Sequence, residues 1–128
     1  MSLCSLGQMI DLIYQGNLFF EEFSCEALKL GVERFNLDFL RKEYCFYGPN
    51  NKIFSHDLPQ KEEWVIGRRF DGTKIETAIK AIDSKQISAL EFHQAIAHAG
   101  VVFGHVYLKS KKILYLGLEG DVYEESWN

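Results

Sequence analysis

The chain has 128 residues, enough for one domain with its own core, and its 47% hydrophobic and 25% charged content argues against disorder. A formal net charge of −4 argues against a general polyanion binder, because neutralising phosphates takes a clustered excess of Lys and Arg. The sequence has no run of about 18 apolar residues to span a membrane, and Met1–Gly7 lacks the basic start and apolar core of a secretory signal.

In chain order, Leu6, Met9, Ile10 and Ile13 recur at helical spacing and predict a short amphipathic helix. Phe20, Phe23, Ala27 and Leu30 form the stripe of a second helix, and Gly31 follows where a left-handed backbone ends it. The period then changes to two. Phe35, Leu37 and Phe39 alternate with Arg34, Asn36 and Asp38, the pattern of a strand with one buried face. A turn at Arg41-Lys42-Glu43 leads to a strand from Tyr44 to Tyr47, and Gly48-Pro49-Asn50-Asn51 turns the chain into a short extended piece, Lys52 to Ser55. Residues 56–72 connect this half to the next. There, Ile75, Ala78, Ile79 and Ile82 mark a third helix, with Thr73 and Glu76 as a capping box. Ala89, Phe92, Ile96 and Ala99 mark a fourth, opened by a second box, Ser88 with Glu91, and closed at Gly100. Strands are expected over Val101 to Leu108, Ile113 to Leu116 and Asp121 to Tyr123, separated by turns at 109–112 and 117–120.

The second half repeats the first. A shift of 69 positions places Ile10 on Ile79, Ile13 on Ile82, Glu22-Phe23 on Glu91-Phe92, Gly31-Val32 on Gly100-Val101, Lys42 on Lys111 and Gly48 on Gly117. The expected fold is α+β in one domain over 1–128: duplicated ααβββ units at about 5–55 and 74–124, related by an approximate two-fold axis. A lone hairpin is marginally stable, so the strands are expected to pool into one antiparallel sheet with the helices packed on a face.

The segment Gly31-Val32 to Tyr47-Gly48, together with Glu91-Phe92 through Ile96-Ala97-His98-Ala99-Gly100-Val101, resembles the YbcV-like family of small bacterial, prophage-associated proteins of unknown function. The resemblance spans nearly the whole chain. Where that family often carries an aromatic residue soon after the second Gly-Val, Phe103 or Tyr107 takes the place. Its motifs are structural, so it implies a fold and a prophage association but no chemistry.

Recognisable catalytic constellations are missing from the sequence. GxSxG, P-loop, GxGxxG and HExxH motifs do not occur. His93 and His98 are five residues apart, about 140° around a helix, so they do not share a face as metal ligands would, and both are expected on its polar side. His56 falls in the connecting segment beside Asp57. Cys4, Cys25 and Cys45 are odd in number and without CxxC spacing, which predicts reduced thiols and a cytoplasmic location; Cys25 and Cys45 read as small buried hydrophobes. Glu62-Glu63 and Glu124-Glu125 read as surface runs. No cofactor, metal or catalytic residue is therefore assigned.

Differences between the halves are more informative. Arg34, Asn36 and Asp38 have Phe103, His105 and Tyr107 as counterparts, a face that water does not suit. Either the connecting segment covers it, with Trp64, Val65 and Ile66, or a partner chain or ligand does. Phe103, His105, Tyr107 and Trp64 are accordingly the candidate binding residues. The basic turns Arg41-Lys42 and Lys109, Lys111-Lys112 read as protection of hairpins rather than a nucleic-acid groove. The expected function is a non-enzymatic interaction module, with a homodimer or protein partner; the alternative is a small-ligand binder or enzyme with its pocket between the repeats.

Overall fold

The computed structural model describes residues 3–58 and 64–128, with side chains from Leu6 onward, so the Cys4 thiol and Glu62-Glu63 lie outside the described residues. Among these are α1 (Leu3–Tyr14), α2 (Phe20–Lys29), β1 (Arg34–Asp38), β2 (Glu43–Tyr47), β3 (Ile53–Asp57), α3 (Gly72–Asp83), α4 (Ala89–His98), β4 (Val101–Tyr107), β5 (Lys112–Gly117) and β6 (Val122–Ser126). This is the α+β class, with an ααβββ order run twice. The strands form one antiparallel sheet in the order β3-β2-β1-β4-β5-β6.

The two repeats meet where β1 pairs with β4. Asn36 lies opposite His105, with Arg34 opposite Tyr107 and Asp38 opposite Phe103. Asn36 and His105 are also equivalent in the repeat, so the pseudo-two-fold axis passes through that pair. Backbone conformation repeats as well. Positive φ occurs at Gly16 and Lys85, Gly31 and Gly100, Lys42 and Lys111, and Asn51 and Gly120, each pair related by the same shift. At Gly31 and Gly100, φ is 95° and 102°, which glycine adopts at least cost and which stops α2 and α4.

The core lies between the helices and one sheet face. Leu6 and Ile10 of α1, Phe23 and Ala27 of α2, Ile75 and Ile79 of α3, and Ile96 and Ala97 of α4 are buried, as helical spacing requires. From the sheet, Phe35, Leu37, Tyr44, Phe46, Val106, Ile113 and Tyr115 meet them. Phe23 packs edge-to-face on Phe35, with centroids 5.5 Å apart. Burying such a ring contributes about 1.5–3 kcal/mol, and the pair geometry about 0.5–1.5 kcal/mol more.

Several boundaries differ from the sequence expectation. The Ser88–Glu91 capping box forms in both directions. Thr73 does not cap α3: Asp71 does, accepting from the Lys74 N–H at 3.2 Å, because the chain is already helical at Gly72. β3 and β6 run beyond Ser55 and Tyr123 because β3 pairs along all of β2 and β6 along Lys112 to Leu116 of β5. His56 and Asp57 are therefore strand residues, His56 opposite Tyr44.

The described part of the connecting segment does not cover the face carrying Phe103, His105 and Tyr107. It packs instead against the end of α4 and the helix side of the sheet. Trp64 donates from Nε1 to the Phe39 carbonyl at 2.8 Å, Gly67 and Asp71 donate to the Ala97 and Ala99 carbonyls, and Phe70 closes on Gly100 and Gly117. The orphan carbonyls at the end of α4 draw it there, since each unmet group would be costly when buried. No helix among the described residues is long and apolar enough to cross a membrane.

Candidate functional site

A cavity of about 770 Å3 opens between the two helical pairs and the sheet. Its origin is legible in one repeat position. Phe35 fills the helix-facing side of β1, but its equivalent on β4 is Gly104, which supplies no side chain. A Cβ added at Gly104 would touch only Phe39, at 3.9 Å. Phe35, Leu37, Gly104, Val106 and Ile113 form the floor, and Ile10, Ile13, Phe23, Phe92 and Ile96 the roof. The walls are mostly apolar because both surfaces are the inward stripes of amphipathic elements.

Two equivalent turns, Gly16–Phe19 after α1 and Lys85–Ser88 after α3, carry exposed residues of the lining and mark the mouth. Here the repeats differ again. Ser88 caps α4 through its hydroxyl, whereas Phe19 occupies the same N-cap position of α2 with no side-chain hydrogen bond. Forgoing a hydroxyl cap costs about 1 kcal/mol. Phe19 is 41% exposed, and the Lys85 ammonium sits 4.3 Å over its ring. An apolar ring and a cation thus frame the opening.

Polar groups converge on the cavity in two places. On the first repeat's side, the Tyr14 hydroxyl bonds Nδ1 of His93 at 2.5 Å, with Tyr44 nearby. His93 is held among the rings of Tyr14, Phe39, Trp64 and Phe92. Desolvation lowers its imidazole pKa to about 3, so it is neutral at physiological pH. Burial likewise raises Tyr14, and pushes Tyr44 up to about 12, so both phenols stay protonated. His93 is not on a solvated polar face, as its sequence position had implied. Read at four-residue spacing it shares a face with Ala89 and Ala97.

On the second repeat's side, Tyr115 donates to Glu125 Oε1 at 2.6 Å. Burial raises the Glu125 carboxyl, the Tyr115 bond opposes this, and Asp83 adds to it. Asp83 is itself raised, by burial first and then by Glu21. Glu21, Asp83 and Glu125 all line the cavity, as do Phe20 and Trp127, which meet edge-to-face at 5.3 Å.

The residues singled out from sequence divide between two faces. Phe103, His105 and Tyr107 are half-buried on the sheet side away from the helices, with Phe103 and His105 stacked at 6.0 Å. Desolvation and then Arg34 lower the His105 pKa. Trp64 lies on the opposite side, its ring 5.2 Å from that of Phe39, so the four do not form one site. Cys25 is exposed rather than buried, since its position on α2 falls outside the Phe23–Ala27 stripe; Cys45 is half-buried on the outer sheet face. The basic turns fall at opposite ends of the sheet, because β1 and β4 are antiparallel, and so they do not line one groove.

Tyr14, Tyr44, Tyr115, Phe19 and Gly104 were not singled out from the sequence, and His93 and Glu125, read there as surface residues, are half-buried and line the cavity. The signal for three of them was available: Gly104 in place of Phe35, His93 in place of Ser24 and Phe19 in place of Ser88 are inward or N-cap differences between the halves. Among the described residues, no group of three His, Cys, Asp or Glu side chains is placed to hold a metal ion. No family model and no curated protein matches this chain.

Proposed function

We propose that the protein binds an apolar small molecule in the cavity between its repeats. The observation that carries this is the cavity itself: its volume of about 770 Å3 falls within the range of small-molecule sites. Its floor and roof are largely apolar and would hold water poorly, the polar lining being gathered at His93 and Tyr44, at Tyr115–Glu125 and along the exposed turns. The test is saturable binding of a neutral dye, N-phenyl-naphthylamine, by the wild type and by Gly104→Leu. The Leu side chain would enter the void at a position where its Cβ meets no clash. Affinity should fall at least about tenfold while the far-UV spectrum is unchanged. Equal binding by the two proteins, or no saturable binding by the wild type, would refute the reading.

A second reading, a non-enzymatic interaction module, rests on Phe103, His105 and Tyr107. No described segment forms a layer over their face of the sheet. If that face joins a second copy, sedimentation should show a concentration-dependent dimer that Phe103→Glu abolishes; a monomer at all concentrations would remove the homodimer.

A further inference from the structure

We propose that the ligand is an uncharged amphiphile, an apolar body carrying one hydroxyl or carbonyl oxygen that hydrogen-bonds His93, and that the cavity turns away carboxylates. This rests on the cavity being a ligand site.

His93 has one ring nitrogen that no described group engages. Its Nδ1 is occupied by the Tyr14 hydroxyl, and its ring lines the cavity, while Nε2 has no hydrogen-bond partner among the described residues. His93 is half-buried, and an imidazole nitrogen that no protein group engages can take a hydrogen bond from a ligand oxygen. If Tyr14 donates to Nδ1, Nε2 carries the proton and donates outward, which suits a carbonyl or hydroxyl oxygen. If Nδ1 donates to Tyr14 instead, Nε2 accepts, which a hydroxyl also satisfies. The surrounding aromatic rings keep the imidazole neutral in either case, so it offers one hydrogen bond and no charge.

Charge around the cavity disfavours an acid. Glu21, Asp83 and Glu125 line the cavity, and the lining cation, Lys85, stands at the mouth over Phe19. A carboxylate drawn in to His93 would lose its hydration without meeting a cation, in a field already negative. A head group with no charge pays neither penalty. An ammonium would be drawn to Glu125 instead, but that carboxylate already accepts from Tyr115 and its neighbour Asp83 is exposed to screening water.

The test compares decane, decanol, decanoate and decylamine at neutral pH, reading affinity by displacement of the neutral dye and by the combined fluorescence of Trp64 and Trp127. Decanol should bind about tenfold tighter than decanoate and severalfold tighter than decane. In His93→Phe, decanol should fall to the affinity of decane while decane itself is unchanged, which shows the cavity intact. Decanoate matching decanol would overturn the proposal, as would a decanol advantage that survives in His93→Phe. Tightest binding by decylamine, weakened by Glu125→Gln and not by His93→Phe, would also overturn it by placing the head group at the other polar end. If none of the four displaces a dye that binds, only the head-group inference falls; if the dye does not bind either, the cavity reading falls with it.

Discussion

Acid should weaken the fold through His93, by an amount that can be worked out. The unfolded chain takes up a proton on this side chain near pH 6.5, whereas the folded protein holds it off down to about pH 3. Between those values the unfolded state carries a proton that the folded state lacks, so stability falls as pH falls. The slope from this one group approaches 1.4 kcal/mol per pH unit, giving a loss of about 3 kcal/mol by about pH 4.5. In His93→Phe that contribution vanishes, but the Tyr14 hydroxyl loses its partner, which costs about 1–3 kcal/mol at any pH. The variant should therefore be the weaker protein at neutral pH and the stronger one in acid, the two curves crossing near about pH 5. Urea unfolding of both proteins at a series of pH values measures this. The carboxylates titrating over the same range are common to both and cancel in the difference. A gap that stays constant with pH would show that the imidazole is free to protonate, and would refute its desolvated placement.

Equivalent glycines should respond unequally to alanine. Gly31→Ala meets open space and should cost about 1–2 kcal/mol for its left-handed backbone alone. Gly100→Ala has the same backbone but also drives a Cβ to 2.8 Å from the Arg69 carbonyl, so it should cost about 1–3 kcal/mol more in chemical denaturation; equal losses would mean that the connecting segment yields freely. Ser88→Ala should cost about 1 kcal/mol by removing the cap of α4. Phe19→Ser should restore that cap to α2 and leave net stability within about 1 kcal/mol, the cap offsetting lost ring contact. The same change should speed release of the neutral dye severalfold in stopped flow, and an unchanged rate would show that the mouth lies elsewhere. Tyr115→Phe removes the donor that holds the Glu125 carboxyl down, so that carboxyl should titrate higher still by NMR and stability should fall by about 1–2 kcal/mol; an unshifted titration would show that the bond does not form.

The repeat, the helices and the strand alternation were legible because each is a local periodicity that one buried face imposes. The Gly31 and Gly100 stops and the Ser88 box were legible for the same reason, being fixed within a turn of chain. The Asp71 cap was missed in favour of Thr73, since two oxygen-bearing residues compete there and only the path of residues 64–71 along α4 decides where the helix begins. That same path carries the described part of the connecting segment away from the outer sheet face. Trp64 and Phe70 are apolar enough for either side of the sheet, and composition does not say which carbonyls will capture the backbone between them.

The site was hidden for a different reason. Comparing the halves at outward strand positions led to Phe103, His105 and Tyr107, yet three differences at inward and N-cap positions describe the cavity. A strictly symmetric duplication with Phe at both 35 and 104 would fill the seam from both sides, and one with Gly at both would leave the centre of the sheet without a core. One copy of each leaves a single void against a packed wall. The remaining asymmetries then fall around that void: His93 replaces Ser24 to present an uncharged polar group, and Phe19 replaces Ser88 at the rim, giving up a cap. A loss of local stability at one place in each copy, Phe19 in the first and Gly104 in the second, both bordering the same space, is the pattern expected where scaffold positions have been turned to binding. Restoring the symmetric residue at Gly104 and at Phe19 should separate the roles, the first removing capacity and the second changing only the rate of exchange.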